Sequence, residues 1–490
     1  MRSAHFILFS AVSAFVLCGL CVEKPTLAYE TPAWPVSLVD VAEKAGLRGV
    51  SVYGGLDRKR FIIETNGAGV AFLDYDNDGW VDALVLSGTR LEEGARQEKA
   101  WPAGEAPTNR LYRNQHDGTF ADVTDRAGLR RTGFASSVCV GDYDNDGGLD
   151  LFVTYFGRNV LYRNRGDGTF EDVSDRSGVS KVTGRYSMTA TAADLDGDGW
   201  PDVYVACDST AAILYRNNRD GTFTDTAMSS GVAYGEFGSA QAGMGLAVGD
   251  YDGDGRLDLL KTHFADDVPA LYHNLGRGLF EDVAVAAGLG VMNRYVEWGT
   301  GMPDLDNDGR PDLLYVTGNV YPEIERQLPQ YPHRGPRVVF RNIDGARFED
   351  VTARSGPGPL AVHSSRGAAF GDFDNDGDVD VLIMNMNEPP TLLRNDYAGT
   401  NGWIEVKLEG TRSNRAGIGA TVVVEAGGRR QARAVVSQAS YYSHDDLRAH
   451  FGLGAATHAD RIEVRWPSGA VDVLKDVEGR RVVTVREGKP

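Results

Sequence analysis

The chain is short of cysteine, of positive charge, of long apolar runs and of catalytic motifs, and these shortages narrow what it can be. Of four Cys, Cys18 and Cys21 lie in an apolar N-terminal stretch, leaving Cys139 and Cys207 for the rest of 490 residues. So few cysteines say little about redox: an oxidising compartment would allow a Cys139–Cys207 disulfide, but no spacing argument stands behind it. The 50 Lys+Arg stand against 69 Asp+Glu, a formal net charge of −19, which excludes the clustered basic surface needed to bind nucleic acid. No His-Glu-x-x-His, Gly-x-Ser-x-Gly, P-loop or Gly-x-Gly-x-x-Gly motif occurs. Asn-x-Ser/Thr sequons are also absent, which favours a bacterial source over a eukaryotic secreted one.

Long apolar runs are confined to the start. Arg2 is followed by an apolar stretch from Phe6 to Val22 and by Thr26-Leu27-Ala28, the pattern of a secretory signal. Seventeen residues followed by Glu23, Lys24 and Pro25 are short for a membrane span. The expectation is a signal peptide over 1–28 and a secreted or periplasmic protein with no integral membrane span once the signal is removed.

What the chain has in excess is glycine and aspartate. Gly is 60 of 490 residues, about 12% against a usual ~7%. Much of both excesses sits in a sixfold repeat, Asp-x-Asp-x-Asp-Gly-x-x-Asp, starting at Asp74, Asp142, Asp194, Asp250, Asp304 and Asp372. A small-residue strand such as Gly69-Val70-Ala71-Phe72-Leu73 precedes each loop, and an apolar strand such as Val381-Leu382-Ile383-Met384 follows it. Then come Leu111-Tyr112-Arg113-Asn114 or Leu161-Tyr162-Arg163-Asn164, an Asp-Gly turn, and Phe120-Ala121-Asp122-Val123 or Phe348-Glu349-Asp350-Val351. Four short strands bounded by turn residues cannot bury both faces alone; stacked radially they can. The fold class expected is all-β, a propeller of six visible repeats and six or seven blades, with a small β-rich C-terminal domain. The polar, Pro-containing insertions at 87–109 and 318–337 are expected as loops on one face.

The loops read as metal sites. Their carboxylates occupy positions 1, 3, 5 and 9: Asp74, Asp76, Asp78 and Asp82; Asp142, Asp144, Asp146 and Asp150; Asp194, Asp196, Asp198 and Asp202. The second half of the chain repeats them as Asp250, Asp252, Asp254 and Asp258; Asp304, Asp306, Asp308 and Asp312; Asp372, Asp374, Asp376 and Asp380. Gly at position 6 permits the tight turn that lets alternate side chains converge. Hard oxygen donors in this number suit Ca²⁺, up to six ions in a structural role. An EF-hand needs Glu at position 12, where Val85, Val153, Val205, Lys261, Tyr315 and Ile383 stand instead. The loops hold 24 of the 69 acids, and the remaining 45 are fewer than the 50 Lys+Arg, so the excess acidity is a ligand count.

With these repeats the chain resembles the FG-GAP/VCBS calcium-loop propellers. Leu408-Glu409-Gly410-Thr411-Arg412-Ser413-Asn414-Arg415, then Gly417-Ile418-Gly419-Ala420, His450-Phe451-Gly452-Leu453-Gly454 and Val464-Arg465-Trp466-Pro467-Ser468-Gly469 are similar to the ASPIC/UnbV domain of the cartilage acidic protein-like family. Gly318-Asn319-Val320-Tyr321-Pro322 resembles that family's insertion, where His is more usual than Asn319. The resemblance implies an extracytoplasmic propeller at 29–398 and an ASPIC/UnbV domain at 399–490, with no settled reaction.

Two functions follow as expectations. The first is a calcium-stiffened binding, scaffold or adhesion-type protein for a protein or glycan partner. The second is an extracytoplasmic enzyme, a polysaccharide lyase or hydrolase or a natural-product biosynthetic step, with its site at the propeller axis. The enzyme would need acids outside the loops, such as Glu297 or Asp208, because nearly every clustered carboxylate already belongs to a loop. Arg165-Gly166-Asp167 is a variant of the repeat turn, matching Gln115-His116-Asp117 and Asn218-Arg219-Asp220. His444, His450 and His458 lack metal-ligand spacing and are expected to pack or hydrogen-bond.

Overall fold

The computed structural model describes residues 33–91, 106–142, 144, 146–156, 159–174, 188–220, 223–235, 238–291 and 293–489. The expected signal at 1–28 and most of the insertion at 87–109 lie outside them. Residues 34–490 form one compact unit.

Each repeat folds as four antiparallel strands in chain order. In the first blade these are Val70–Leu73, Asp82–Val85, Arg110–Asn114 and Phe120–Asp122. The first strand of each sheet lies innermost, against its counterparts in neighbouring blades. The sixth blade has three strands of its own, Ser365–Gly371, Asp380–Asn385 and Thr391–Asn395; its fourth is Leu38–Asp40, paired antiparallel with Thr391–Asn395. The two ends of the repeat array are thus clasped within one sheet. Among the described residues this makes six blades, and the early Leu38-Val39-Asp40 strand completes the sixth.

Blades adhere through interdigitated apolar faces and a repeated amide latch. The Asn that ends the third strand donates its Nδ2 to a backbone carbonyl of the preceding blade. Asn114 reaches Phe373 O at 2.8 Å, Asn164 reaches Tyr75 O at 2.8 Å and Asn274 reaches Leu195 O at 2.9 Å. Asn342 reaches Tyr251 O at 2.8 Å, and Asn395 reaches Leu305 O at 2.9 Å. Such Asn also donate within their own blades, Asn217 to Pro201 O as Asn114 does to Val81 O and Asn274 to Leu257 O. The aromatic that opens the fourth strand stacks on the same neighbouring loop, as in Tyr75–Phe170, Phe120–Phe373 and Tyr251–Phe348.

The C-terminal strands form two facing sheets. One is ordered Ala449–Gly454, Gly402–Glu409, Val482–Arg486; the other is Arg429–Ala434, Thr421–Ala426, His458–Arg465, Val471–Glu478. Ile404, Val406, Val422, Val424, Phe451, Ile462 and Val464 make the apolar layer between them, so the β-rich domain is a sandwich. The alternation at Ile404–Leu408, Ala420–Glu425, Ala432–Val436, Ile462–Trp466 and Val482–Val485 predicts strands here; the first and last fall within strands, Ala420 and Trp466 lie one residue outside theirs, and Arg429–Ala434 ends two residues before Val436.

The link between the two sheets, residues 435–448, does not stay within this sandwich. It enters the centre of the ring and bonds the innermost strand of every blade. His444 exchanges bonds with Val70 and Phe72 in the first blade. Tyr442 O accepts from Val138 at 3.1 Å in the second, and Gln438 O from Thr191 Oγ1 at 3.3 Å in the third. Ser440 pairs with Leu246 in the fourth (2.7 and 2.8 Å), and its Oγ accepts from Thr300 N in the fifth at 2.9 Å. Asp445 Oδ1 accepts from Phe370 N in the sixth at 3.0 Å. Small residues on the inner strands make room: a Cβ on Gly69 would stand 1.7 Å from Tyr442 O.

Candidate metal centre

All six predicted loops connect an innermost strand to the second strand of its blade, on the face the C-terminal sandwich covers. Their geometry repeats closely. The position-1 carboxylate caps the turn, accepting from backbone N–H groups at positions 5 and 6. Asp74 takes Asp78 N at 3.0 Å and Gly79 N at 3.1 Å; Asp304 takes Asp308 N at 3.0 Å and Gly309 N at 2.8 Å. The position-6 glycines hold φ between 85° and 96°, which a side chain would resist. The position-9 carboxylate is buried and ties the loop to the third strand: Asp82 Oδ1 accepts from Asn114 N, Asp258 Oδ1 from Asn274 N and Asp380 Oδ1 from Asn395 N, all at 2.8 Å.

These bonds leave carboxylate oxygens converging. Oxygens of Asp74, Asp76 and Asp82 lie within 4.8 Å of one another, as do those of Asp142, Asp144 and Asp146; Asp194, Asp196 and Asp198; and Asp250, Asp252 and Asp258. Burial first, with mutual repulsion behind it, pushes Asp82 up to about 8, Asp258 to about 9, Asp250 to about 7 and Asp202 to about 6. Asp304, Asp312 and Asp380 are driven well above the carboxylate range for the same reasons. Asp76 Oδ1, Asp306 Oδ1 and Asp374 Oδ1, each at position 3, are buried with no hydrogen-bond partner. An all-oxygen set that repels itself and leaves acceptors orphaned suits a hard divalent cation.

Two partner sets at the loops had a signal in the sequence that periodic reading did not use. The Arg of the third strand reaches its own loop: Arg113 bonds Asp76 and Asp78, Arg163 bonds Asp144 and Asp146, Arg216 bonds Asp196, and Arg341 bonds Asp306 at 2.9 Å. In the fourth blade His273 stands there, its Nδ1 3.2 Å from Asp252 Oδ2. Position 4 holds a left-handed residue, Asn77, Asn307 and Asn375 in three loops and Gly197 and Gly253 in two. Each of these Asn donates to the next loop's position-6 carbonyl: Asn307 to Gly377, Asn375 to Gly79 and Asn77 to Gly147.

The sandwich adds contacts from above. Ala432 N donates to Asp250 Oδ2 at 3.1 Å, Arg448 to Asp372 O at 2.7 Å, His450 Nε2 lies 3.0 Å from Gly377 O, and Arg429 bonds Asp308 O. The acids considered for an axial site differ in their surroundings. Glu297 is buried, its carboxyl raised by desolvation, whereas Asp208 is exposed and accepts from Ser209 Oγ. The His group also separates: His444 lies in the axial link, His450 faces the sixth loop and His458 is exposed. Cys139 and Cys207 are both free. No helix among the described residues is long and apolar enough to cross a membrane.

The model of FG-GAP-like repeats matches residues 100–153, 142–205, 194–260 and 304–383, and the ASPIC and UnbV model matches 410–490. The chain is thus similar to proteins that combine FG-GAP-like repeats with an ASPIC/UnbV domain. Among its relatives, cartilage acidic protein 1 of Mus musculus is 25% identical over 358 residues, covering 62% of this chain and 53% of that protein. The Homo sapiens protein is 26% identical over 297 residues, covering 58% of this chain and 41% of its own length. The chain thus spans about half the length of the curated relatives it matches. A solved Agrocybe aegerita lectin that recognises non-reducing terminal N-acetylglucosamine aligns with 74% of this chain and 95% of its own at 18% identity, TM-score 0.32.

Proposed function

We propose that this protein is an exported calcium-binding propeller acting as a binding, scaffold or adhesion-type module for a protein or glycan partner. On this reading residues 1–28 are removed on export, 29–398 are the propeller and 399–490 the ASPIC/UnbV module. Up to six Ca²⁺ ions sit in the loops through positions 1, 3, 5 and 9. The observation that carries it is the convergence of buried carboxylates in repeat after repeat, without the supporting cations that would neutralise all of them. Ca²⁺ there is structural: it stiffens the hairpins, and the partner is met by the loops and by the sandwich that rides on them.

Calorimetric titration of chelator-treated protein with Ca²⁺ tests the metal, with four to six sites and a raised melting temperature expected. A melting curve indifferent to Ca²⁺ would sink the calcium assignment. Glycan-array and pull-down screening of the calcium-loaded protein tests the binding role.

A further inference from the structure

The six loops share one sequence pattern but not one environment. The position-6 glycine at the tip of each turn shows the difference. A Cβ on Gly79, Gly147 or Gly199 would meet nothing within 4 Å among the described residues, and all three glycines are exposed. In the fourth, fifth and sixth blades the same position lies under the C-terminal sandwich. A Cβ on Gly255 would overlap the Arg430 guanidinium, and one on Gly377 would run into the Trp403 indole. On Gly309 it would stand 3.2 Å from both Gln431 Nε2 and Gly452 O. Gly309 and Gly377 are buried, and Gly255 is half-buried.

The cover is bonded to these three loops as well as packed on them. Ala432 N donates to Asp250 Oδ2 at 3.1 Å in the fourth blade. In the fifth, Asn401 Nδ2 donates to Asp306 O at 2.8 Å and Gly454 N to Asn307 O at 2.9 Å. In the sixth, Arg448 donates to Asp372 O at 2.7 Å, and His450 Nε2 lies 3.0 Å from Gly377 O. Most of these acceptors are backbone carbonyls inside the turns, so the bonds form only while the turns keep their folded shape. The other three loops are met differently. Lys407 Nζ stands 3.4 Å from Asp74 Oδ2, while Ile418 packs near Gly141 and Gly419 near Pro201, beside the turns and not over them.

A turn of converging carboxylates keeps its shape when their repulsion is neutralised. Losing the cation from a covered loop therefore weakens the turn and the bonds it offers to the sandwich together. By linkage, docking of the sandwich raises the cation affinity of the covered loops by the same factor. An ion in an exposed loop leaves when that turn alone opens, whereas one in a covered loop leaves only with the sandwich displaced.

We infer that the loops form two classes of calcium site. Those at Asp250, Asp304 and Asp372 trap their ions beneath the sandwich and clamp it to the ring, while those at Asp74, Asp142 and Asp194 exchange ions freely with solution. The inference rests on the calcium reading above and adds which ions hold the sandwich in place.

The test is stopped-flow release of Ca²⁺ from the loaded full chain into a fluorescent chelator. Release should occur in two phases of up to three ions each, the slow one slower by about tenfold or more. Amide hydrogen exchange over residues 435–448 should stay protected through the fast phase and quicken with the slow one. Arg430→Ala uncovers the Gly255 turn without altering a carboxylate, so it should move one ion from the slow to the fast phase at unchanged total. Asp306→Asn should remove one slow ion and deprotect 435–448, whereas Asp144→Asn should remove one fast ion and leave that protection in place. A single release phase, or protection lost in the fast phase, overturns the two classes and leaves the calcium reading standing. Unchanged amplitudes in Arg430→Ala overturn the cover as their cause. A chain that melts cooperatively yet holds no Ca²⁺ overturns the calcium reading itself.

Discussion

At the scale of single residues, the loop aspartates are held in two conflicting states. Their backbone bonds fix them close together, and burial then opposes their ionisation. Asp82 and Asp258 are raised to about 8 and about 9 in the folded chain, against about 3.9 when unfolded. For a raised acid the stabilising contribution is complete below the unfolded pKa and is lost as pH rises through the folded one. Calcium-free protein should therefore melt at a higher temperature at pH 5 than at pH 8. Added Ca²⁺ should reverse that order, because it binds the ionised form; differential scanning calorimetry at the two pH values checks both. Asp258→Asn should lower the calcium stoichiometry by one site, read by titration. Gly69→Ala tests another crowded position: its Cβ would meet Tyr442 O at 1.7 Å. We expect a loss at the upper end of the roughly 1–3 kcal/mol typical of overpacking, measured by denaturant unfolding.

Among elements, the link over residues 437–446 matters most and was the least legible. The six loops announce themselves because four acids and a glycine recur at fixed offsets. The link has no period, and its partners are backbone groups on six strands scattered from Val70 to Phe370. Nothing in Ser437-Gln438-Ala439-Ser440-Tyr441-Tyr442 separates it from a surface loop by composition. The strand at Ala449–Gly454 was obscured by Gly452 and Gly454 interrupting its alternation. The fourth strand of the sixth blade was visible as Leu38-Val39-Asp40, but its destination depends on pairing across the whole array. Tyr441 is fully buried, packed on Trp298 and Tyr442. Tyr441→Ala should cost about 3–5 kcal/mol, checked by chemical denaturation. His444, within the link, is lowered by burial to about 4, as is His450. For a depressed His the contribution is present above the unfolded pKa of about 6.5 and is lost as pH falls toward the folded value. Calcium-loaded protein should thus destabilise between about pH 6.5 and 4, with the far-UV and near-UV circular dichroism transitions moving together.

For the whole molecule, closure is the governing fact. Removing residues 34–41 takes Val36 and Leu38 out of the core, where both are buried, at about 3–6 kcal/mol by area alone, and leaves an open sheet edge in the sixth blade. Thermal unfolding should then lose cooperativity as well as midpoint; a single sharp transition at the original temperature would count against the clasp. The axial link has a further consequence in time. A chain emerging from its N-terminus makes the inner strand of its first blade more than 370 residues before the segment that pairs with it, at Val70 and His444. Each blade can form as a local meander, yet the ring acquires its axle only after the last blade exists. Chains ending before residue 437 would carry blades and loops around an unfilled bore, and so would be distinguishable from finished ones by any surface that tests for exposed strand edges.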